Sequence, residues 1–475
     1  MNVDTVVRTT AGLVSWLQAR CLGGSTVVVG RDARHGSAEF AEATAEVLAA
    51  AGFDVVALPR PLPTPVLAFA VRRLRAAAGV QITASHNPAT DNGYKVFTGG
   101  GAQLIAPADR EIERAIEAVG PALAVPRTPA PPADDALLAE YLARVAALPH
   151  GRDRELRIAL TPLHGVGGDT AVAALTAAGF TDLHTVTSQF EPDPDFPTVR
   201  FPNPEEDGAT DALLELAERV GADLAIALDP DADRCAVGVP GPDGWRMLRG
   251  DETGVLLGDH VLQAAGPDSL VSTTIVSSQL LSKIAAARGA RFAETLTGFK
   301  WLVRAGEGLV YAYEEALGHC VDPEAVRDKD GISAAVLIAD LAAGLKARGR
   351  SLHDVLDDYA VEFGVHAGEQ VSRRVERVDE ITEMMDRLRS ALPHTLADDP
   401  VTAEDLLTRR GALRTDAVVL RGEHTRMVVR PSGTEPKLKC YLEVVVDVDD
   451  RSDLGRARTE AATRLRELIG YARGL

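Results

Sequence analysis

Three carboxylates stand at alternate positions in LAIALDPDADRCAVGV (Leu224–Val239): Asp229, Asp231 and Asp233, flanked by two apolar runs that read as strands. Carboxylates this close on one tight loop repel one another unless a cation sits among them, and hard oxygen ligands at that spacing suit Mg²⁺. The loop is no EF-hand, because Arg234 and Pro240 occupy the positions where Gly and Glu belong. A phosphatase with Asp229 as nucleophile is an open alternative, although such loops continue DxDx(T/V) and Asp233 stands at the last place. A solvated acidic turn is the third reading, and the apolar strands on both sides argue against it.

A second stretch, QITASHNPATDNGYKVF (Gln81–Phe97), carries Ser85, His86, Asn87 and Lys95 among turn formers. Alone, SHNP reads equally well as a cap and a turn. Beside a divalent-cation loop, Ser85 becomes the acceptor that a phosphoryl group needs. Lys95 would neutralise the transferring oxygens or move the hydroxyl proton. A third stretch, RGEHTRMVVRPSGTEPKLKCY (Arg421–Tyr441), sets Arg430, Ser432, Gly433 and Thr434 after a strand, a guanidinium, two hydroxyls and free backbone N–H groups that would cradle a phosphate. A plain β-turn around Ser432-Gly433 is the alternative. In the fourth, YAYEEALGHCVDPEAVRDKDG (Tyr311–Gly331), Glu314 and Glu315 close an apolar strand as paired acceptors for sugar hydroxyls. Arg327 and Lys329 then alternate with Asp328 and Asp330, as a salt-bridged helix start would also do. Thr297, Gly298 and Lys300 begin a helix and either touch a ligand or cap it.

The elements that must position these loops follow from the periodicity. The 475 residues are too many for one core and imply three or four domains. TVVVGRDARHGS (Thr26–Ser37), RIALTPLHGVGG (Arg157–Gly168) and SLVSTTIVSS (Ser269–Ser278) each lead from a buried strand through a loop into a helix, which suggests three similar α/β units. The Pro- and Ala-rich PALAVPRTPAPPADD (Pro121–Asp135) reads as an inter-domain linker. After Gly364 the pattern changes to a helix at Asp379–Leu392, alternating antiparallel strands, and a last helix at Arg451–Gly470.

Composition narrows the partners. A net charge of −19 disfavours nucleic acid and membrane surfaces. No apolar run reaches the ~18 residues of a membrane span, and the first residues lack a signal-peptide layout. Cys21, Cys235, Cys320 and Cys440 are far apart, which fits a reducing, cytoplasmic setting. Only seven of the 50 basic residues are Lys, and five (Lys95, Lys300, Lys329, Lys437, Lys439) fall in Gly- or Pro-containing loops. In an Arg-using chain, a retained Lys points to a need for a compact ammonium. Lys283 and Lys346 lie in plain helical patterns and read as solvated.

Taken together, TASHNP, DPDADR, EEALGH and RPSGTEP, in this order over nearly the whole chain, resemble the α-D-phosphohexomutase superfamily, the phosphoglucomutase/phosphomannomutase enzymes. TPLHGVG (Thr161–Gly167), GDE (Gly250–Glu252) and TGFK (Thr297–Lys300) agree. The resemblance implies three related mixed α/β domains plus a smaller C-terminal α+β domain around a central cleft, at 1–120, 137–252, 253–364 and 365–475. It implies that Ser85 carries a phosphoryl group, that Asp229, Asp231 and Asp233 hold Mg²⁺ with one oxygen on Ser85, and that a sugar 1,6-bisphosphate is the intermediate and activator. Arg430, Ser432, Gly433 and Thr434 would grip the phosphate that is not reacting. Thr297, Gly298, Lys300, Glu314, Glu315 and His319 would contact substrate, with Arg234 beside the phosphoserine. Lys95, His86 and Lys329 are the acid/base candidates.

The implied activity interconverts hexose 1- and 6-phosphates of glucose or mannose. Many members carry Glu–x–Ser–Gly–His in the sugar loop. Here Ala316 replaces the Ser and Leu317 precedes Gly318-His319, a form closer to the branch that includes phosphopentomutases, so ribose or deoxyribose phosphates are the alternative. A phosphatase or a non-catalytic sugar-phosphate binder ranks below these. We expect a cytoplasmic monomer or dimer acting on a small phosphosugar. The family usually opens with a strand and a GTAGLRG-like loop before its first long helix. This chain begins inside that helix, so the expectation is a first domain short of an edge strand and a cleft loop.

Overall fold

The computed structural model describes residues 1–242, 244–411, 413–432 and 436–475, with the backbone alone at Val378. It forms two compact units, one of Met1–Gly266 with Gly306–Arg350, the other of Pro267–Ala305 with Ser351–Leu475.

In the first unit, β1 (Thr26–Arg31), β2 (Asp54–Ala57), β3 (Ala78–Ile82) and β4 (Tyr94–Thr98) make a sheet in the order β2-β1-β3-β4. The first three run parallel and β4 returns antiparallel to β3. A second sheet repeats the plan: β5 (Arg157–Thr161), β6 (Asp182–Thr185), β7 (Leu224–Leu228), β8 (Cys235–Gly241) and β9 (Gly244–Met247), in the order β6-β5-β7-β8-β9. Here β5, β6 and β7 are parallel, and β8 and β9 are antiparallel. Strands covered by helices on both faces need apolar residues throughout, and β7 is buried at every position.

The third repeat is divided. Parallel β10 (Leu270–Thr274) and β11 (Arg291–Thr295) belong to the second unit. The antiparallel pair β12 (Leu309–Glu314) and β13 (Gly318–Cys320) belongs to the first, followed by the buried helix Gly331–Lys346. Three stretches singled out for chemistry therefore lie at matching places, on the turns β3→β4, β7→β8 and β12→β13.

The second unit also holds a sheet of β14 (Val365–Arg374), β17 (Thr402–Asp405), β18 (Val418–Arg421), β19 (Thr425–Pro431) and β20 (Lys437–Val446) in the order β14-β20-β19-β18-β17, plus a ribbon of β15 (Thr395–Leu396) and β16 (Asp399–Pro400). Its core gathers Val418, Leu420, Met427, Val429, Cys440 and Val444 against Met384, Met385, Leu388 and the C-terminal helix.

Several sequence expectations shift. The helix expected at Asp379–Leu392 spans Val378–Ser390. The last helix is Leu454–Gly474, after a short 3-10 turn at Arg451–Asp453. β14 was not expected, because VHAGEQVSRR shows no alternation; its backbone pairing with β20 along the full strand makes it regular. Residues 121–135, read as an inter-domain linker, run along the first repeat, with Ala133 N–H donating to Ala57 of β2 at 2.8 Å and Thr128 N–H to Glu46 of the helix Ser37–Ala50 at 3.1 Å. Lys95 lies on β4, and Lys437 and Lys439 on β20, not in loops. Lys283 and Lys346, read as solvated, are exposed, and each also has a surface partner: Lys283 Nζ donates to the Phe363 carbonyl at 3.1 Å and Lys346 to Asp223 at 2.6 Å. Among the described residues no helix is long and apolar enough to cross a membrane.

Candidate active site

The β3→β4 hairpin sets the serine. Gln81 pairs with Lys95 and Ile82 with Tyr94, and Thr83 N–H donates to Gly93 at 3.1 Å to close the loop. Gly93 is needed for this approach, since a Cβ there would lie 2.5 Å from the Thr83 carbonyl oxygen. Within the loop Ser85 takes a left-handed conformation, φ 52°, with its N–H on Thr83 Oγ1 at 2.9 Å. A non-glycine residue held there costs of order 1 kcal/mol and persists only where its surroundings impose it. The result is that Ser85 Oγ donates to Asp229 Oδ2 at 2.8 Å and lies 3.2 Å from His86 Nδ1.

The β7→β8 loop is pinned from several sides. Val166 N–H reaches Pro230 O at 2.9 Å, Thr64 N–H reaches Asp231 O at 3.0 Å, and Gly331 N–H reaches Ala232 O at 3.2 Å. Asp229, Asp231 and Asp233 are all 0 % exposed, and one oxygen from each lies within 4.8 Å of the others. Asp229 Oδ1 accepts the Arg234 N–H at 3.0 Å. Asp231 Oδ2 accepts from Thr64 Oγ1 and Lys95 Nζ, each at 2.6 Å. Asp233 Oδ2 accepts from Lys95 at 3.0 Å and pairs with Lys329 at 3.3 Å. Among the described residues, no donor reaches the buried Oδ1 atoms of Asp231 and Asp233. Buried carboxylate oxygens without donors are costly unless a cation takes them. The donor set therefore fits a hard divalent ion.

The electrostatics agree. Burial, then Asp231 and Asp233, push the Asp229 carboxyl well above the usual range. Burial opposes the charge on Lys95, but Asp231 and Asp233 outweigh it and hold the ammonium protonated. Lys329 is likewise held charged against burial, chiefly by Asp233 and then Asp328. Beside Arg234, and buried, the His86 imidazole is pushed down to about 2. His86 is thus neutral near pH 7 and in that state offers hydrogen bonds.

Arg234 lies mostly buried with Nη1 3.6 Å from Glu205, and Glu314 acts with Glu205 to hold its charge against burial. Glu314 and Glu315 are half-buried on the β12→β13 turn. Gly318 leaves the space that Glu314 and Lys329 use, as a Cβ on it would lie 2.4 Å from Lys329 Cδ and 2.9 Å from Glu314 Oε1. His319 departs from expectation. It is fully buried, 3.1 Å from the Tyr311 hydroxyl through Nδ1, and offers no face to a substrate.

In the second unit, Thr297 and Lys300 are half-buried and Gly298, φ 106°, caps the single turn Phe299–Leu302, the capping alternative. Arg430 pairs with Lys439 at the end of β19, and Ser432 N–H donates to Lys437 O at 2.8 Å. Gly433 and Thr434 lie outside the described residues.

Sequence reasoning missed Thr64, whose hydroxyl orients Asp231, and Gln103, which donates to Asp328 at 2.7 Å beside Lys329. It also missed Arg34, which holds carbonyls of the serine loop. A signal for Arg34 existed: Asp32-x-Arg34 follows a buried strand in the first repeat.

The models of the phosphoglucomutase/phosphomannomutase α/β/α domains I, II and III match residues 1–122, 139–241 and 249–363, and that of the C-terminal domain matches 372–454. The chain is 41 % identical over 454 residues to a Haemophilus influenzae protein named "probable phosphomannomutase", covering 93 % of each. It is 34 % identical over 508 residues to a Pongo abelii phosphopentomutase, covering 94 % of this chain and 82 % of the relative. The crystal structure of a phosphoglucomutase/phosphomannomutase family protein from Burkholderia thailandensis shares the fold, with a TM-score of 0.75 over 98 % of this chain and 94 % of its own, at 22 % identity.

Proposed function

The chain belongs to the phosphoglucomutase/phosphomannomutase family of isomerases, which move phosphate within a sugar phosphate, and we propose that it interconverts hexose 1-phosphates and hexose 6-phosphates, of glucose or mannose, through a phosphoserine at Ser85. The observation that carries this reading is Ser85 Oγ, 2.8 Å from Asp229 Oδ2 and beside two buried carboxylate oxygens without donors among the described residues. A nucleophile next to a cation site suits transfer; binding alone needs no such hydroxyl.

In the proposed cycle a sugar hydroxyl attacks the phosphorus on Ser85 and the bond from phosphorus to Oγ breaks. The proton leaving the sugar replaces the phosphoryl group on Oγ, and the serine regains its hydrogen bond to Asp229. The bisphosphate turns over and the reverse step returns its other phosphate to Ser85. Lys95, fixed as an ammonium, balances charge on the transferring oxygens, with Lys329 and Arg234 beside it. Asp229, Asp231 and Asp233 would hold Mg²⁺, which when bound supplies the charge that offsets the phosphoryl oxygens. Glu314 and Glu315 would accept sugar hydroxyls, and Arg430, Ser432, Gly433 and Thr434 would hold the second phosphate, with Thr297, Gly298 and Lys300 as further ligand contacts. A cytoplasmic setting fits the four free cysteines.

Pentose phosphates are the second reading. Ala316 in place of a sugar-loop hydroxyl and the 34 % identity to a phosphopentomutase favour it. Initial rates on glucose, mannose and ribose 1-phosphates, with Mg²⁺ and matching bisphosphate, rank the substrates; a ribose preference reverses the order proposed. Mapping the phosphopeptide after incubation with glucose 1,6-bisphosphate tests the mechanism. Phosphate on Ser85 supports the mutase, and phosphate on Asp229 supports a phosphatase instead.

A further inference from the structure

The geometry points to Arg34 as a positioning residue for the transfer step: its guanidinium clamps the serine loop in the left-handed conformation that aims Ser85 Oγ at Asp229. The inference rests on the phosphoserine reading above.

Arg34 sits in the β1 loop, 51 residues before the serine, and is buried. Its Nη2 donates to the carbonyls of Ser85 and Asn87, each at 2.6 Å. Its Nη1 donates to those of Pro88 at 2.7 Å and Asp91 at 3.2 Å. The four hydrogens on the two terminal nitrogens thus match four backbone oxygens of one loop. The remaining nitrogen, Nε, lies 3.3 Å from Asp32 Oδ2, with both side chains 1 % exposed. Asp32 is itself fixed, since its Oδ1 accepts Ser37 Oγ at 2.6 Å and the Arg34 N–H at 2.9 Å. The Phe196 ring covers the guanidinium at 4.9 Å.

Four carbonyls converging on one point need a planar donor with hydrogens spread at fixed angles. Lysine keeps the charge but presents three donors from one atom and cannot span the set. The loop is closed at Thr83 and Gly93, and inside it Pro88 O also accepts the Asp91 N–H at 3.0 Å, so Arg34 adds to a turn that is already formed and ties it to Asp32. Releasing the clamp lets Ser85 relax from φ 52° toward the ordinary region, which moves Oγ away from Asp229. A misplacement of about 1 Å at a reacting atom costs about 100-fold in rate. The contacts of Arg34 are to loop carbonyls and to Asp32, so substrate affinity is expected to change little.

The test compares wild type, Arg34→Lys and Asp32→Asn as full chains with Mg²⁺ and glucose 1,6-bisphosphate. Thermal unfolding establishes which variants fold. The expected result is that R34K loses about 100-fold in kcat with KM within about twofold, takes phosphate onto Ser85 correspondingly slowly, and shows faster amide exchange confined to residues 83–93. D32N, which keeps the clamp but loosens its anchor, is expected to lose about tenfold and decides the matter if R34K does not fold. A folded R34K, or a D32N where only that folds, with wild-type kcat and exchange overturns the proposal. So does a variant whose KM alone rises, because that marks a substrate contact. Wild type that takes no phosphate on Ser85 overturns the phosphoserine reading, and the clamp with it, a result separable from the others because it appears without any mutation.

Discussion

Lys95 Nζ donates to Asp231 Oδ2 at 2.6 Å across 136 residues of sequence, joining the serine hairpin to the acidic loop. The ammonium reaches Asp233 as well, at 3.0 Å, so it already supplies part of the positive charge that three buried carboxylates demand.

Removing that charge is expected to make the fold lean on metal. Lys95→Met leaves Asp231 and Asp233 buried with less compensation, and breaking such a pair costs about 3 kcal/mol. The variant should unfold at lower temperature than wild type in EDTA and recover much of the difference in excess Mg²⁺, while kcat falls at least 100-fold. Equal unfolding temperatures for the two proteins in EDTA would show that Lys95 does not serve as an internal counter-ion.

Gly331 tests how closely the acidic loop is packed. A Cβ there would lie 2.4 Å from Arg234 O and 2.8 Å from Ala232 O. Gly331→Ala must push this backbone aside, at a cost of about 2 kcal/mol. Because the displaced residues lie between and beside the carboxylates, Mn²⁺ affinity measured by calorimetry should fall at least tenfold. A variant that loses stability but binds Mn²⁺ as wild type does would separate loop packing from ligand placement.

His86 is expected to leave the pH profile alone. Arg234 and burial keep its imidazole neutral across the working range. His86→Gln, which retains a neutral hydrogen-bonding group, should lower kcat about tenfold while both limbs of the kcat–pH curve stay in place. Disappearance of a limb near pH 6–7 in H86Q would return His86 to the acid/base role.

Asp330 gives a stability test with a definite sign. Burial raises its carboxyl to about 6, against the hydrogen bonds from Ser333, Tyr141 and Ile332. A raised folded value means that the fold favours the protonated form. The stabilisation is complete below the unfolded value near 3.8 and is lost as pH rises through 6, about 3 kcal/mol in all. Asp330→Asn stays neutral and keeps an acceptor for Tyr141 and for the helix start. Its urea midpoint should gain on wild type between pH 4 and pH 7; parallel curves for the two proteins would sink the argument.

How far the chain could be read without coordinates depended on where each signal sits. The cluster of Asp229, Asp231 and Asp233 was legible because three carboxylates at alternate positions on one tight turn must lie close together and need positive charge near them, which Lys95 and Lys329 in part supply. Ser85 and Lys95 were legible because a tight turn between two strands returns the chain to the same place, and β3 and β4 pair Gln81 with Lys95 accordingly. The three α/β repeats were legible because buried parallel strands must be apolar throughout. The β14 strand was not, since half-exposed edge residues carry no alternation and only pairing with β20 makes them regular.

The sequence by itself determined the chemistry on offer: an acidic triad, a serine, and lysines set apart from the arginines around them. Tertiary structure decided which groups meet and in what charge state. Arg34, Thr64 and Gln103 became part of the site only because distant loops fold onto the same point, a relation that no local pattern encodes. His319 left it for the converse reason: a histidine in a motif looks the same whether it faces a ligand or the Tyr311 hydroxyl inside the core. Arg234 and burial set His86 neutral, and Asp231 and Asp233 keep Lys95 charged against burial, because desolvation and neighbouring charge act through space and not along the chain.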